Sequence, residues 1–384
     1  MITRIKSKSI VLRDSIVSGY VYYENGKITA VTDADLPYDR EIDAGENYVS
    51  AGLIDLHTHG AGGYDFSDST EAVIKAASKH LEHGTTSLLP TVSAAPIDRM
   101  TLAVEYVKEA KQSPELKPNI IGAHLEGPYF NPMFCGAQNP DFITPPIREH
   151  YLPLLEKHSD VIARVSYAPE FDTDNEFLSE LRKRGIIASA GHTGARYCDM
   201  DRAIADGLSL VTHLYSCTST VTREMGFRHL GVIETALLRD DIYAEIITDG
   251  KHLPYELIKL IVKAKGSDKV ALITDSLFAA AADNITEGVG MGVPFIIEDG
   301  VCKLTDRSAF AGSICTADRC IREAHLGAGI PLPEAVKMMT AVPAEILGVK
   351  KGNLLPDYDA DLVIFDSQIT VLAAIVGGEV KYER

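Results

Sequence analysis

Five segments of this chain carry histidine or a carboxylate directly after a short apolar run. They contain Asp55-Leu56-His57-Thr58-His59, His124-Leu125-Glu126, Gly191-His192, Thr212-His213 and Thr274-Asp275. Imidazole and carboxylate suit Zn²⁺, Fe²⁺ and similar divalent ions. In an extended strand, residues i and i+2 project to the same side. His57 and His59 can therefore clamp one cation. Asp55 shares their parity, and His124 shares that of Glu126. Glu126, His192 and His213 make a three-ligand site with positions open for water. Glu126 can also bridge to a second cation held by His57 and His59. A lone histidine at a strand end is more often a hydrogen-bonded structural residue, but five such ends in one chain point to a metal centre. His124 reads as a partner behind the ligands. Asp55 either orients a ligand or closes a strand. His80, His83, His150, His158 and His325 read as structural.

The elements that must position these residues follow from periodicity. Eight short apolar runs read as strands: Leu53–His57, Thr85–Leu89, Ile120–Leu125, Ala163–Ala168, Ile186–Ala190, Leu210–His213, Ile242–Ile247 and Val270–Thr274. Helical patterns lie between most of them, including Ser69–His83, Pro96–Lys111, Asp174–Arg184, Cys198–Asp206 and Pro254–Lys265. Eight strands alternating with helices predict an α/β fold, a (β/α)8 TIM barrel over residues 51–345. Such barrels place their chemistry at the C-terminal ends of the strands, where the five segments fall. Residues 1–50 and 346–384 read as short strands with turns at Glu24-Asn25-Gly26 and Gly377-Gly378. Neither end has enough apolar residues for its own core, so both are expected to join in one small β-sandwich domain. Val293–Leu304 reads as a hairpin inserted after the eighth strand.

Composition narrows the partners. The 384 residues include 37 Lys+Arg and 54 Asp+Glu, a formal net charge of −17. Nucleic acid and anionic membranes, which demand basic patches, are poor partners. No apolar run reaches the ~18 residues of a membrane span, and the first residues lack the apolar stretch of a signal peptide. The six cysteines show no CxxC pair. They read as reduced thiols in a cytoplasmic protein.

With those residues in place, the chain resembles the amidohydrolase superfamily and, within it, the N-acetylglucosamine-6-phosphate deacetylase group. The resemblance runs over nearly the whole length. It is carried by AGLIDLHTHG (51–60), HGTTSLLPT (83–91), HLEGPYFNP (124–132), GAQNPDF (136–142), ASAGHT (188–193), THLY (212–215), TDGKH (248–252), LITDS (272–276), FAGS (310–313) and GNLLPDYDADLVIFD (352–366). HLEGP, SAGHT and THLY in that order, followed by TD, mark the deacetylase group.

The resemblance implies hydrolysis of the acetamide of a phosphorylated N-acetyl amino sugar by a metal-activated water. It makes Glu126, His192 and His213 the primary ligands and Asp275 the general acid/base. Because His57 and His59 are present, one or two divalent ions, Zn or Fe, are implied. Strand four, ARVSYAPE (163–170), lacks the bridging lysine of other superfamily designs. For substrate binding the resemblance points to Gln138, to the backbone at Ser216 and Cys217, to His252, and to Arg223 or Arg228 contributed across a homodimer interface. Gln138 stands where the group often has histidine. Two other readings compete: an amidohydrolase for N-acetylgalactosamine-6-phosphate or another N-acyl compound, and a non-catalytic scaffold on an inherited barrel. The retained ligands and Asp275 argue against the scaffold.

Overall fold

The computed structural model describes residues 1–384. Eight parallel strands form a nearly closed barrel: Leu53–Thr58, Thr85–Ser93, Ala123–Glu126, Ile162–Tyr167, Ile187–Ala190, Leu210–Val211, Tyr243–Ile247 and Val270–Ile273. They are the eight strands expected, side by side in chain order. The first and eighth meet at their C-terminal ends, where Asp275 N–H donates to His57 O at 2.9 Å and His59 N–H to Ser276 O at 2.8 Å. Asp55 reinforces this seam. Its Oδ2 accepts from Thr274 Oγ1 at 2.6 Å and its Oδ1 from His57 N–H at 3.2 Å. Of its two sequence readings, Asp55 therefore takes the second. Closing the barrel there puts the His57/His59 pair beside Asp275.

Helices cover the outside. The first, Thr70–Leu81, starts at Ser69, whose side chain accepts from Ala72 N–H at 3.1 Å. Its apolar face (Ala72, Val73, Ala76, Ala77 and Leu81) follows the helical repeat and is buried. His80 lies on the same face. Its Nε2 is 2.9 Å from Thr58 Oγ1 and 3.2 Å from Gly60 O, so it braces the end of the first barrel strand. No helix is long and apolar enough to cross a membrane.

The barrel interior holds a feature that periodicity did not announce. Arg164, on the fourth strand, and Glu245, on the seventh, form a fully buried ion pair. Arg164 Nη2 donates to Glu245 Oε2 at 2.7 Å and to Thr212 Oγ1 at 2.9 Å, and Nη1 to Leu56 O at 3.2 Å. These extra acceptors offset the cost of taking a guanidinium out of water. Burial pushes the Glu245 carboxyl up, but Arg164 and His57 outweigh it and hold it below the usual value.

The chain ends build the small domain. Its strands lie in the order Glu379–Glu383, Val371–Val376, Leu362–Phe365, Arg40–Ala51, Thr3–Val11, Ile16–Glu24, Lys27–Thr32. Arg40–Ala51 pairs in parallel with Thr3–Val11 and antiparallel with Leu362–Phe365, which joins both termini in one continuous mixed sheet. Ile5, Val21, Ile28, Val49, Leu362 and Ile375 contribute to a core separate from the barrel's. The insertion after the eighth strand has three strands, Glu287–Gly290, Val293–Glu298 and Val301–Leu304. Its first strand escaped sequence reading because Glu-Gly-Val-Gly has little β propensity.

Candidate metal centre and its cavity

The strand ends bring five ligand-type side chains to one point. Glu126 Oε1 lies 3.2 Å from His192 Nε2, 3.0 Å from His213 Nε2 and 3.3 Å from His57 Nε2. Glu126 Oε2 is 3.4 Å from His59 Nε2. Asp275 Oδ1 stands 3.4 Å from His57 Nε2 and 3.2 Å from His59 Nε2. The five ligand-type side chains are all buried, and so is Asp275. Two trios, His57/His59/Asp275 and His57/Glu126/His213, have donor atoms close enough together to hold an ion.

Local backbone geometry aims these groups. Strands five, six and eight end two residues before His192, His213 and Asp275. Those three residues adopt left-handed φ values of 47°, 27° and 48°. Such angles are costly for non-glycine residues and persist where the surroundings over-determine them. Here they turn three side chains inward toward a common centre.

The imidazoles are oriented from behind. His192 Nδ1 lies 2.9 Å from Phe134 O and His213 Nδ1 3.1 Å from Ser216 O. A carbonyl only accepts, so each Nδ1 carries a proton. In the neutral rings both Nε2 atoms are then bare acceptors, yet they sit 3.2 Å apart and both face Glu126. Converging acceptors of this kind fit a cation. His59 Nδ1 is 2.9 Å from Ser93 Oγ. His57 Nδ1 has no hydrogen-bond partner, and Glu245 Oε2 is 3.9 Å from it.

The electrostatics carry the same demand. Burial would push His57 and His59 down. The carboxylates of Glu126 and Asp275 outweigh it and raise them to about 9 and about 10. Burial likewise pushes Glu126 and Asp275 up, but the surrounding imidazoles hold both below the usual carboxylate range, Glu126 far below it. Two ionised carboxylates among imidazoles require positive charge at the centre. A divalent cation meets that requirement with the rings neutral.

His124 does not join the ligands. Its Nε2 is 2.8 Å from Ser166 Oγ and its Nδ1 3.1 Å from Thr91 Oγ1, while its ring stands edge-on to His57 at 4.6 Å. Burial, reinforced by Arg164, pushes it well below its ordinary value. It supports His57 by packing.

A cavity of about 250 Å³ opens over this centre. Gln138, Ser216, Cys217 and His252 all line it. Gln138 is locked in place. Its Oε1 accepts from Ala94 N–H at 3.1 Å and its Nε2 donates to Glu126 Oε2 at 2.6 Å. Gly136, two residues earlier, has φ +57°, and an added Cβ would come within 2.4 Å of Cys217 Sγ. A side chain is therefore excluded where this loop meets the Cys217 loop.

Arg223 and Arg228, expected to act across a dimer interface, lie outside the cavity of their own chain. They face each other on the exposed hairpin of Thr222–Glu224 and Phe227–His229, and neither lines the cavity. The structure also adds groups that sequence reading missed. Asp249 is buried behind His252, its Oδ2 2.8 Å from His252 Nδ1, while its Oδ1 accepts from Lys251 and His252 N–H at 2.8 Å. The Asp-Gly of TDGKH is a turn signal that hinted at this. Phe310 and Met291 also line the cavity, and the Phe310 ring centre is 4.9 Å from that of His252. Nothing in local sequence signalled their approach.

A barrel with metal-ligating groups at its strand ends defines a class, and comparison with known proteins agrees with it. The amidohydrolase family model matches residues 48–383, and the chain belongs to that family. It is 33% identical to N-acetylglucosamine-6-phosphate deacetylase of Bacillus subtilis (strain 168), over 98% of this chain and 96% of that one. It is 32% identical to the Haemophilus influenzae protein of the same name, over 98% and 97%. The solved structure of N-acetylglucosamine-6-phosphate deacetylase from Pasteurella multocida superposes with a TM-score of 0.92 at 31% identity, covering all of both chains.

Proposed function

We propose that this chain hydrolyses the acetamide of N-acetylglucosamine-6-phosphate to glucosamine-6-phosphate and acetate. The observation that carries the reading is the joint placement of Glu126, His192, His213 and Asp275 under a cavity whose wall includes His252 and the Ser216–Cys217 segment. Family membership supports amide hydrolysis, and the names of the relatives support the substrate.

Glu126, His192 and His213 would hold a first divalent cation, and His57 and His59 would hold a second. Zn²⁺ or Fe²⁺ suits this nitrogen and oxygen set. A cation bound there would supply Lewis acidity toward water and the acetamide carbonyl. Asp275 accepts the proton of the attacking water. The same group then gives it to the departing amine, which must be protonated to leave. Gln138, with one N–H committed to Glu126, offers its other N–H to the acetyl carbonyl. Asp249 holds the Nδ1 side of His252, so that Nε2 meets the phosphate end of the sugar.

The chain works as a homodimer in which Arg223 or Arg228 of the partner subunit reaches the phosphate. Support comes from the exposed hairpin, where Met225 and Phe227 are 96% and 70% exposed. Apolar side chains so exposed are typical of an interface. A sedimentation result at the mass of one chain would contradict this. Six free cysteines support a reducing, cytoplasmic location.

The test is acetate release from N-acetylglucosamine-6-phosphate beside the unphosphorylated sugar, its galacto epimer and an N-acetyl amino acid. The phosphorylated gluco substrate is expected to lead the unphosphorylated one by about 100-fold in kcat/KM, given two or more charge-assisted contacts. Preference for an unphosphorylated compound overturns the reading. Asp249→Asn is expected to raise KM for the phosphorylated sugar about tenfold, the worth of one charge-assisted hydrogen bond, with the smaller change in kcat. Steady-state kinetics over a range of substrate concentrations checks it.

A further inference from the structure

Beside the catalytic cavity lies a second cavity of about 500 Å³ that the proposed reaction leaves unused. Val92, Ala94, Leu102, Tyr106, Phe142 and Met291 give it an apolar side, and Asp65, Asp68 and Arg99 a polar one. Ser93 reaches it too, and Ser93 Oγ is 2.9 Å from His59 Nδ1, so this space extends to the back of the metal centre. Met291 lines both cavities. Its Sδ lies 3.6 Å from Gln138 Nε2, and Gln138 Oε1 accepts from Ala94 N–H. The partition is thus one thioether side chain and one clamped amide.

We infer that Met291 sets the acyl length this enzyme accepts, and that the second cavity is an acyl-chain site which Met291 closes. The inference rests on the deacetylase reading above. An amide carries its two substituents on opposite sides of the carbonyl carbon. With the sugar phosphate held toward His252 and the Ser216–Cys217 segment, the acyl group extends to the other side of the metal centre, toward Gln138 and Met291. An acetyl methyl fits on the near side of the partition. A longer unbranched acyl chain meets the Met291 side chain, and beyond it the Val92, Leu102, Tyr106 and Phe142 side of the second cavity offers apolar contacts. Met291 sits in the turn between Glu287–Gly290 and Val293–Glu298, half-buried, with φ +53°. A flexible thioether on a turn is a wall that one substitution removes. The reaction itself is unchanged. One water is consumed, the C–N bond breaks, the acyl group leaves as its carboxylate and the amine takes the proton.

The experiment compares N-acetyl-, N-propanoyl- and N-butanoyl-glucosamine-6-phosphate on the metal-loaded full chain. Met291→Gly removes the wall and suits the left-handed backbone, which protects folding. Met291→Leu keeps an apolar side chain of similar length at the same place. The butanoyl-to-acetyl ratio of kcat/KM is expected to be low in the wild type and to rise about tenfold or more in Met291→Gly, the worth of two buried methylenes. Met291→Leu should stay near the wild-type ratio. A ratio that changes less than about twofold in Met291→Gly overturns the inference, because two methylenes would then gain nothing from the opened space. So does a wild type that takes the butanoyl substrate as well as the acetyl one. Either result leaves the deacetylase reading intact, whereas a wild type inactive on N-acetylglucosamine-6-phosphate defeats both.

Discussion

Asp275→Asn is expected to lower kcat by about three orders of magnitude, in the middle of the range for losing a general acid/base. The substitution is nearly isosteric and leaves the backbone seam untouched, because Asp275 N–H still donates to His57 O. What it removes is a carboxylate 3.4 Å from His57 Nε2 and 3.2 Å from His59 Nε2. An amide can neither take the water's proton nor return it to the amine. Both half-reactions therefore suffer, and KM should move far less than kcat. Glu126, His192 and His213 remain, so at least one ion per chain should stay bound. Single-turnover kinetics beside elemental analysis separates the two readouts. Turnover within tenfold of wild type would refute the role of Asp275.

Glu126→Gln has a different expected signature, because it should abolish activity by emptying the site. Glu126 is the one side chain within 3.4 Å of all four imidazoles. Replacing it leaves the histidines without the charge that gathers them, and a neutral amide is a poor ligand for a divalent ion. Metal affinity is expected to fall by at least about 100-fold, more than the 10–100-fold typical of losing an outer partner. Activity should fall with it. Chelation of the wild type followed by dialysis should reproduce that loss, and adding back Zn²⁺ or Fe²⁺ should restore activity to the wild type but not to Glu126→Gln. Thermal unfolding supplies a readout independent of turnover: a bound ion raises the wild-type midpoint and leaves the variant's almost unmoved. A variant that keeps its metal and its turnover sinks the assignment of Glu126.

The elements were legible because each is local. A short apolar run ending in His, Glu or Asp marks a barrel strand without reference to any other part of the chain. All eight strands appeared within a few residues of where periodicity put them. His80 was legible as structural, and it bonds Thr58 and Gly60. Other residues gave no such signal. Arg164 and Glu245 look like single charges in two apolar runs 81 residues apart, and only barrel packing brings them together. Met291 and Phe310 belong to the irregular stretch after the eighth strand. No period predicts that this stretch folds back over the cavity.

The sequence by itself determined the class of chemistry, because the identity of a ligand atom is a property of its residue. It also determined the barrel, because strand and helix periods are properties of short windows. Only the tertiary structure decided which ligands share a centre. Asp275 lies beside His57 and His59 because the last strand closes against the first, and left-handed turns swing His192, His213 and Asp275 inward. It also decided that Arg223 and Arg228 lie outside their own cavity and that Met291 stands between two. These are relations between distant segments, set by closure of the sheet and packing of its loops, and no local pattern encodes them.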